Sequence, residues 1–170
     1  MVPLAEAVRI LGIDPGLRRT GWGLVLAEGS RLRFLASGAI APPAKASLAE
    51  RLARLADALD ALVSEHAPDE AAVEETFVNS DPRSALKLGQ ARGVCLMSPA
   101  RHNIPVAEYA ANTIKKSVVG AGHADKTQVQ AMVARLLPGS RAETADAADA
   151  LAIALCHAFH RKTAQLRATS

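Results

Sequence analysis

Apolar residues crowd the first forty positions in short runs, then settle into a helical stripe. Residues 8–14 (VRILGID), 21–27 (GWGLVLA) and 32–40 (LRFLASGAI) read as three short strands parted by Gly-containing turns, close enough to form an antiparallel meander. Leu48, Leu52, Leu55, Leu59 and Leu62 then recur at spacings of four and three, and Ser47 and Glu50 stand as a capping box before them. This spacing predicts an amphipathic helix whose leucines pack into the core. Pro68 follows, and "EAAVEETF" at 70–77 reads as a strand interrupted by acids. A helix over about 83–97, a strand at 104–109 (IPVAEY), a helix from near Asp125 and a last helix over about 143–159 complete the order βββαβαβαα. Three hairpin strands followed by strand–helix alternation predict an α/β architecture, a mixed five-stranded sheet with helices on both faces.

Length and composition narrow what this sheet can belong to. The 170 residues suit one domain, with a core over about 8–160 and a frayed tail at 161–170 (RKTAQLRATS). Hydrophobic residues make up 49% of the chain and charged ones 22%, which excludes wholesale disorder. No apolar run approaches the roughly 20 residues of a membrane helix, and MVPLAEAVRI lacks the pattern of a signal peptide, so a cytoplasmic location is expected. Cys95 and Cys156 lie far apart in apolar surroundings, which predicts buried reduced thiols rather than a zinc site or a disulfide. A net charge of +3 permits a polyanionic partner without demanding one.

The candidate chemistry lies in acids that interrupt apolar runs. Asp14 closes the first strand, Glu74 and Glu75 close the strand near 70–77, and Asp146 and Asp149 stand three apart in "ETADAADALAIAL". On a helix that spacing puts both side chains on one face, with Cβ atoms about 5–6 Å apart. Taken singly, Asp14 before Pro-Gly is an ordinary turn residue and Asp146 an ordinary first-turn helix acid. Brought together by one sheet, such acids repel one another unless something positive sits between them. A divalent metal such as Mg²⁺ is the usual solution, and two such ions support in-line phosphodiester hydrolysis. Which of Glu74 and Glu75 points inward turns on a one-residue register that the strand pattern leaves open. His123 and His157 are possible general acids or bases, although nothing in their setting requires it. "DPGLRRTG" also matches the D-x-G-x-x-x-x-G hairpin of actin-like ATPases, but those bind nucleotide between two domains, which 170 residues hardly supply.

Five stretches in order, "ILGIDPGLRRTGWG", "AVEETF", "SALKLGQARG", "KKSVVGAGHADKTQV" and "ADAADALAIA", closely resemble the RuvC family of bacterial Holliday junction resolvases over about residues 9–160. The resemblance implies a ribonuclease H-like fold and a homodimer. It also implies Mg²⁺-dependent paired nicking of four-way junction DNA in recombination and repair, alongside the branch-migration proteins RuvA and RuvB. It matches Asp14, Glu74, Asp146 and Asp149 to the family's metal-ligating catalytic acids, with two Mg²⁺ per site, and so selects Glu74 over Glu75. Phe77 matches an aromatic that stacks on a base near the junction centre, a contact worth about 1–3 kcal/mol. Lys115 and Lys126 match lysines needed near the scissile strand, in what reads as a basic loop running into a helix N-terminus. Arg83, Lys87 and Arg92, on or beside the preceding helix, are further DNA-binding candidates. A dimer interface is expected on the apolar helix around Ala85 to Val94. Departures from the family are Ser80 and Asp81 where a basic residue is frequent, Ala111 where Pro is common, Pro99 within a helical stretch, and a slightly longer amino terminus. Rival readings are a junction-binding scaffold with a structural ion, or another ribonuclease H-like nuclease acting on other branched or hybrid substrates.

Overall fold

A computed structural model describes residues 6–75, 81–140, 142 and 144–168, the last of these as backbone only from 162 onward. Strands β1 (Ala7–Asp14), β2 (Thr20–Glu28) and β3 (Arg31–Ile40) form the expected antiparallel meander. Strands β4 (Glu70–Glu75) and β5 (Val106–Ala110) add in parallel on the far side of β1, giving the order β3-β2-β1-β4-β5. The parallel half needs crossovers, which helices α1 (Leu48–His66) and α2 (Pro82–Arg101) supply. The capping box at the start of α1 is formed: Glu50 N–H donates to Ser47 Oγ at 3.2 Å, and Ser47 N–H to Glu50 Oε2 at 2.9 Å.

Each face of the sheet carries its own core. Leu11, Ile13, Leu24, Ala71 and Val73 pack with Leu55, Leu59 and Val63 of α1 and with Ala91 and Cys95 of α2. On the other face Val8, Ile10, Val25 and Ala72 pack beneath α3 (Ala111–Val119), α4 (Lys126–Leu136) and α5 (Ala145–Ala168). Strand side chains alternate faces, so the face that holds Ile10 and Ala72 is also the face of Asp14 and Glu74. Cys95 and Cys156 are free and buried as expected, and burial pushes the Cys95 thiol up to about 12.

Close approach of α5 is what delivers its acids. A Cβ added to Gly12 would lie 2.1 Å from the Ala150 carbonyl oxygen, and one added to Gly21 would lie 2.0 Å from that of Asp146. Glycines on the strands and alanines on the helix thus let the start of α5 sit against β1 and β2. Register places Asp14 opposite Gly21, so the helix backbone carrying Asp146 descends directly beside Asp14.

Three expectations need correction. Residues 111–119 form a helix, not a loop, so Lys115 is helical. Its β-branched residues and uncapped start at Ala110 give little local signal, and Ile114 and Val118, four apart and buried, fix it by packing. Helix α2 runs on to Arg101 with Pro99 inside its last turns, and α5 continues to Ala168, through most of the tail expected to fray. Asp81 caps α2 by accepting from Arg83 N–H at 3.1 Å and from Ser84 Oγ at 2.6 Å, which accounts for an acid at that position.

Candidate active site

Three elements converge at the carboxyl end of the parallel strands. Asp14 ends β1 and Glu74 lies one residue from the end of β4 on the same face, while Asp146 and Asp149 approach on the first turns of α5. Glu75, facing the other way, is exposed. Burial first, then the negative charges of Glu74, Asp149 and Asp146, push the Asp14 carboxyl up to about 8. The Asp14 and Glu74 carboxyls lie close enough to share a hydrogen bond. Burial also raises Glu74, against the opposing effects of that bond and of Lys115 and Lys126. Asp149 is likewise raised by burial, with Lys126 pulling it back.

The outer acids are turned toward cations. Lys126 Nζ lies 3.1 Å from Asp149 Oδ2, and Arg19 Nε lies 3.3 Å from Asp146 Oδ2. Among the described residues, no three acids, histidines or cysteines close around a single point in this arrangement. The donor chemistry nevertheless fits a hard divalent cation: four carboxylates, with neither thiolate nor imidazole.

A cleft of about 280 Å³ opens beside the acids, walled by Glu74, Asp149, Lys115, Lys126 and the apolar Ile114 and Val129. Lys126 is the first residue of α4, behind the capping box of Asp125 and Gln128, so its ammonium group and the helix amino end face the same cleft. Arg92 has a different task from the one expected of a free surface cation. Its Nε donates to the Glu74 carbonyl at 3.0 Å and its Nη2 pairs with Glu108, so it fixes the end of β4. Lys87 lies apart from the lysine cleft, in a second groove with Arg18, Arg19, Arg51 and Asp146. Arg83 is exposed in the first turn of α2, and Phe77 lies outside the described residues.

His157 is bound on both sides, Nδ1 to Tyr109 Oη at 2.8 Å and Nε2 to Glu70 Oε2 at 2.6 Å, which makes it a brace between α5 and the sheet rather than a general base. Arg18, Arg19 and Arg51 were not foreseen as site residues. The Arg-Arg pair one residue after Asp-Pro-Gly carried the signal, whereas Arg51 is hidden in the leucine stripe of α1.

The family model described as crossover junction endodeoxyribonuclease RuvC matches residues 10–157. The chain is 61% identical to the crossover junction endodeoxyribonuclease RuvC of Paramagnetospirillum magneticum, over 93% of this chain and 95% of that one. It is 60% identical to that of Maricaulis maris, over 96% and 98%. Thermus thermophilus RuvC in complex with a Holliday junction substrate superposes with a TM-score of 0.86 at 32% identity, covering 92% of this chain and 96% of the other. The yeast mitochondrial Holliday junction resolvase Ydc2 shares the fold, with a TM-score of 0.68 at 14% identity over 98% and 85% of the two chains.

Proposed function

The chain belongs to the RuvC family of crossover junction endodeoxyribonucleases, ribonuclease H-like nucleases of recombination and repair, and on that premise we propose that Asp14, Glu74, Asp146 and Asp149 hold two Mg²⁺ ions and cut four-way DNA junctions. The observation that carries this reading is the convergence of four acids, from the ends of β1 and β4 and the first turns of α5, at one end of the sheet. Burial first, and then the charges of three neighbouring acids, push the Asp14 carboxyl up to about 8, as expected where positive charge is readily accepted. When bound, a pair of divalent ions activates water and neutralises the charge that develops on the attacked phosphate and the leaving oxygen.

The side chains have separable tasks. Asp14 and Glu74 act as neighbouring carboxylate ligands, and Arg92 keeps Glu74 in place through its carbonyl. Lys126 releases Asp149 and, with Lys115, meets the non-bridging oxygens of the scissile phosphate across their common cleft. Phe77 stacks on a base near the junction centre, and Arg83 and Lys87 contact the DNA backbone. No side-chain nucleophile is needed, and no covalent intermediate with the protein forms.

A four-way junction must be cut twice, symmetrically, which calls for two copies of the site related by a two-fold axis. Helix α2 offers the surface for a second copy. Leu86 (69% exposed), Gln90, Gly93 and Met97 (45% exposed) recur at spacings of four, three and four, and a Cβ on Gly93 would meet nothing within 4 Å. Partnership with RuvA and RuvB, and action in the cytoplasm where recombining DNA lies, complete the proposal. Among the described residues, no helix is long and apolar enough to cross a membrane.

The deciding experiment uses a fixed synthetic four-way junction with and without Mg²⁺. Paired symmetric nicks that require the metal are expected. Binding without cutting in Mg²⁺ would favour the scaffold reading, and equal cutting of hybrid or simple branched substrates would favour a different nuclease.

A further inference from the structure

The acids have two flanks, and the lysine cleft serves only one. On the other, the β1–β2 turn, α1 and the first half of α2 border an open groove of about 490 Å³, lined by Arg18, Arg19, Arg51 and Lys87, with Asp146 the single acid in its wall. Four cations facing one carboxylate leave a surplus of positive charge that an anion would complement.

The groove is built on a fixed frame. Thr20 Oγ1 donates to the Gly16 carbonyl at 2.7 Å and accepts from Gly16 N–H at 3.2 Å, while Arg51 Nη2 donates to the Leu17 carbonyl at 2.9 Å. A Cβ on Gly16 would lie 2.2 Å from the Arg19 carbonyl oxygen, so the tightness of the turn excludes a side chain there. Leu17 is buried, which anchors the turn and leaves Arg18 and Arg19 exposed beyond it.

A second observation is independent of charge. Arg51 Nε is buried and has no hydrogen-bond partner among the described residues. An orphaned buried donor costs about 1–3 kcal/mol, which leaves the Arg51 side chain without full satisfaction in the free protein. Among the described residues, Arg19 is the only one of the four cations that forms an ion pair, the one to Asp146.

We propose that this groove is a second phosphodiester subsite, which seats a backbone phosphate of the cut DNA strand next to the scissile one. The inference rests on reading the four acids as the nuclease centre. Arg18, Lys87 and the Arg51 guanidinium that lines the groove meet the phosphate oxygens, a task for which the planar donor fork of arginine is suited. Arg19 exchanges Asp146 for the same phosphate and so frees that carboxylate for metal. Seating of the strand on this flank and completion of the acidic site are then one event.

The test compares the full-length wild type with the double variant Arg18→Ala/Lys87→Ala and with a control, Arg31→Ala, at the far end of β3. Junction binding is measured without divalent metal over a salt series. Loss of one phosphate contact is expected to flatten the slope of log K against log salt by about 0.9 in the double variant and by less in the control. In parallel, single phosphates flanking the cut are replaced by uncharged methylphosphonates. One position is expected to weaken wild-type binding severalfold and to weaken the double variant clearly less, because only Arg19 and Arg51 remain there to meet that phosphate. An unchanged slope, or the same methylphosphonate penalty in both proteins, overturns the subsite while wild-type cutting in Mg²⁺ leaves the nuclease reading intact. A wild type that neither binds nor cuts the junction overturns both.

Discussion

Replacing Asp14 by Asn should make the metal-free protein more stable, although it should abolish cutting. The Asp14 carboxyl is held near 8 in the folded protein against 3.8 in the unfolded chain. A group with a raised folded pKa contributes stability that is complete below its unfolded pKa and is lost as pH rises through the folded one. Between pH 4 and 8 the wild type therefore loses stability that the always-neutral Asn keeps. At ~1.4 kcal/mol per pH unit the interval sets a ceiling of about 6 kcal/mol. Part of that cost comes from the charges of Glu74, Asp149 and Asp146, which salt and local cations relax, so a gain of about 2–3 kcal/mol above pH 8 is the working expectation. For a chain of this size it corresponds to a melting temperature roughly 5–10 °C higher. Urea unfolding of both proteins in EDTA, from pH 5 to 9, reads the effect directly. The gap should widen with pH and narrow when Mg²⁺ is added, because ligand binding stabilises the wild type selectively. An Asn variant that is less stable throughout, or a gap that ignores pH, would refute the reasoning.

Glu74→Gln, Asp146→Asn and Asp149→Asn should each eliminate Mg²⁺-dependent nicking yet leave junction affinity within a few fold, because basic surfaces supply most of the binding; gel shift and cleavage assays on the same preparations check this. Gly21→Ala would drive a methyl group into the Asp146 backbone and should cost about 1–3 kcal/mol in denaturant unfolding while also lowering cleavage. At the opposite end of the sheet, burial raises the Glu70 carboxyl, but hydrogen bonds from Arg161 and His157 outweigh it and hold the group below its ordinary 4.5. That stability is present above pH 4.5 and fades as pH falls through the depressed folded value, so Glu70→Gln should flatten the acid limb of a pH–unfolding profile as well as lowering stability at pH 7. Phe77→Ala should reduce cleavage far more than binding, and equal losses would mark the ring as structural.

The parts of this fold legible in the sequence are those with strong local periodicity. The meander, the leucine helix with its capping box, and the α5 acids three apart all follow from patterns of two or of three and four. Helix α3 was illegible because it owes its existence to Ile114 and Val118 meeting a core built from other elements. Strand parity, which sets Glu74 beside Ala72 and beneath α5, becomes fixed only once β4 is paired with β1. The arginine-lined groove was invisible for a similar reason. Arg18, Arg51 and Lys87 come from three separate segments, and no spacing in the chain announces that they meet.

The central claim is that the four acids share divalent metal. A crystal of the protein with uncleaved junction DNA, soaked in Mn²⁺ and measured for anomalous scattering, tests it most directly. Two peaks are expected among Asp14, Glu74, Asp146 and Asp149, with Arg19 and Lys126 withdrawn from their acids. Peaks elsewhere, or none while Lys126 still holds Asp149 and Arg19 still holds Asp146, would contradict it.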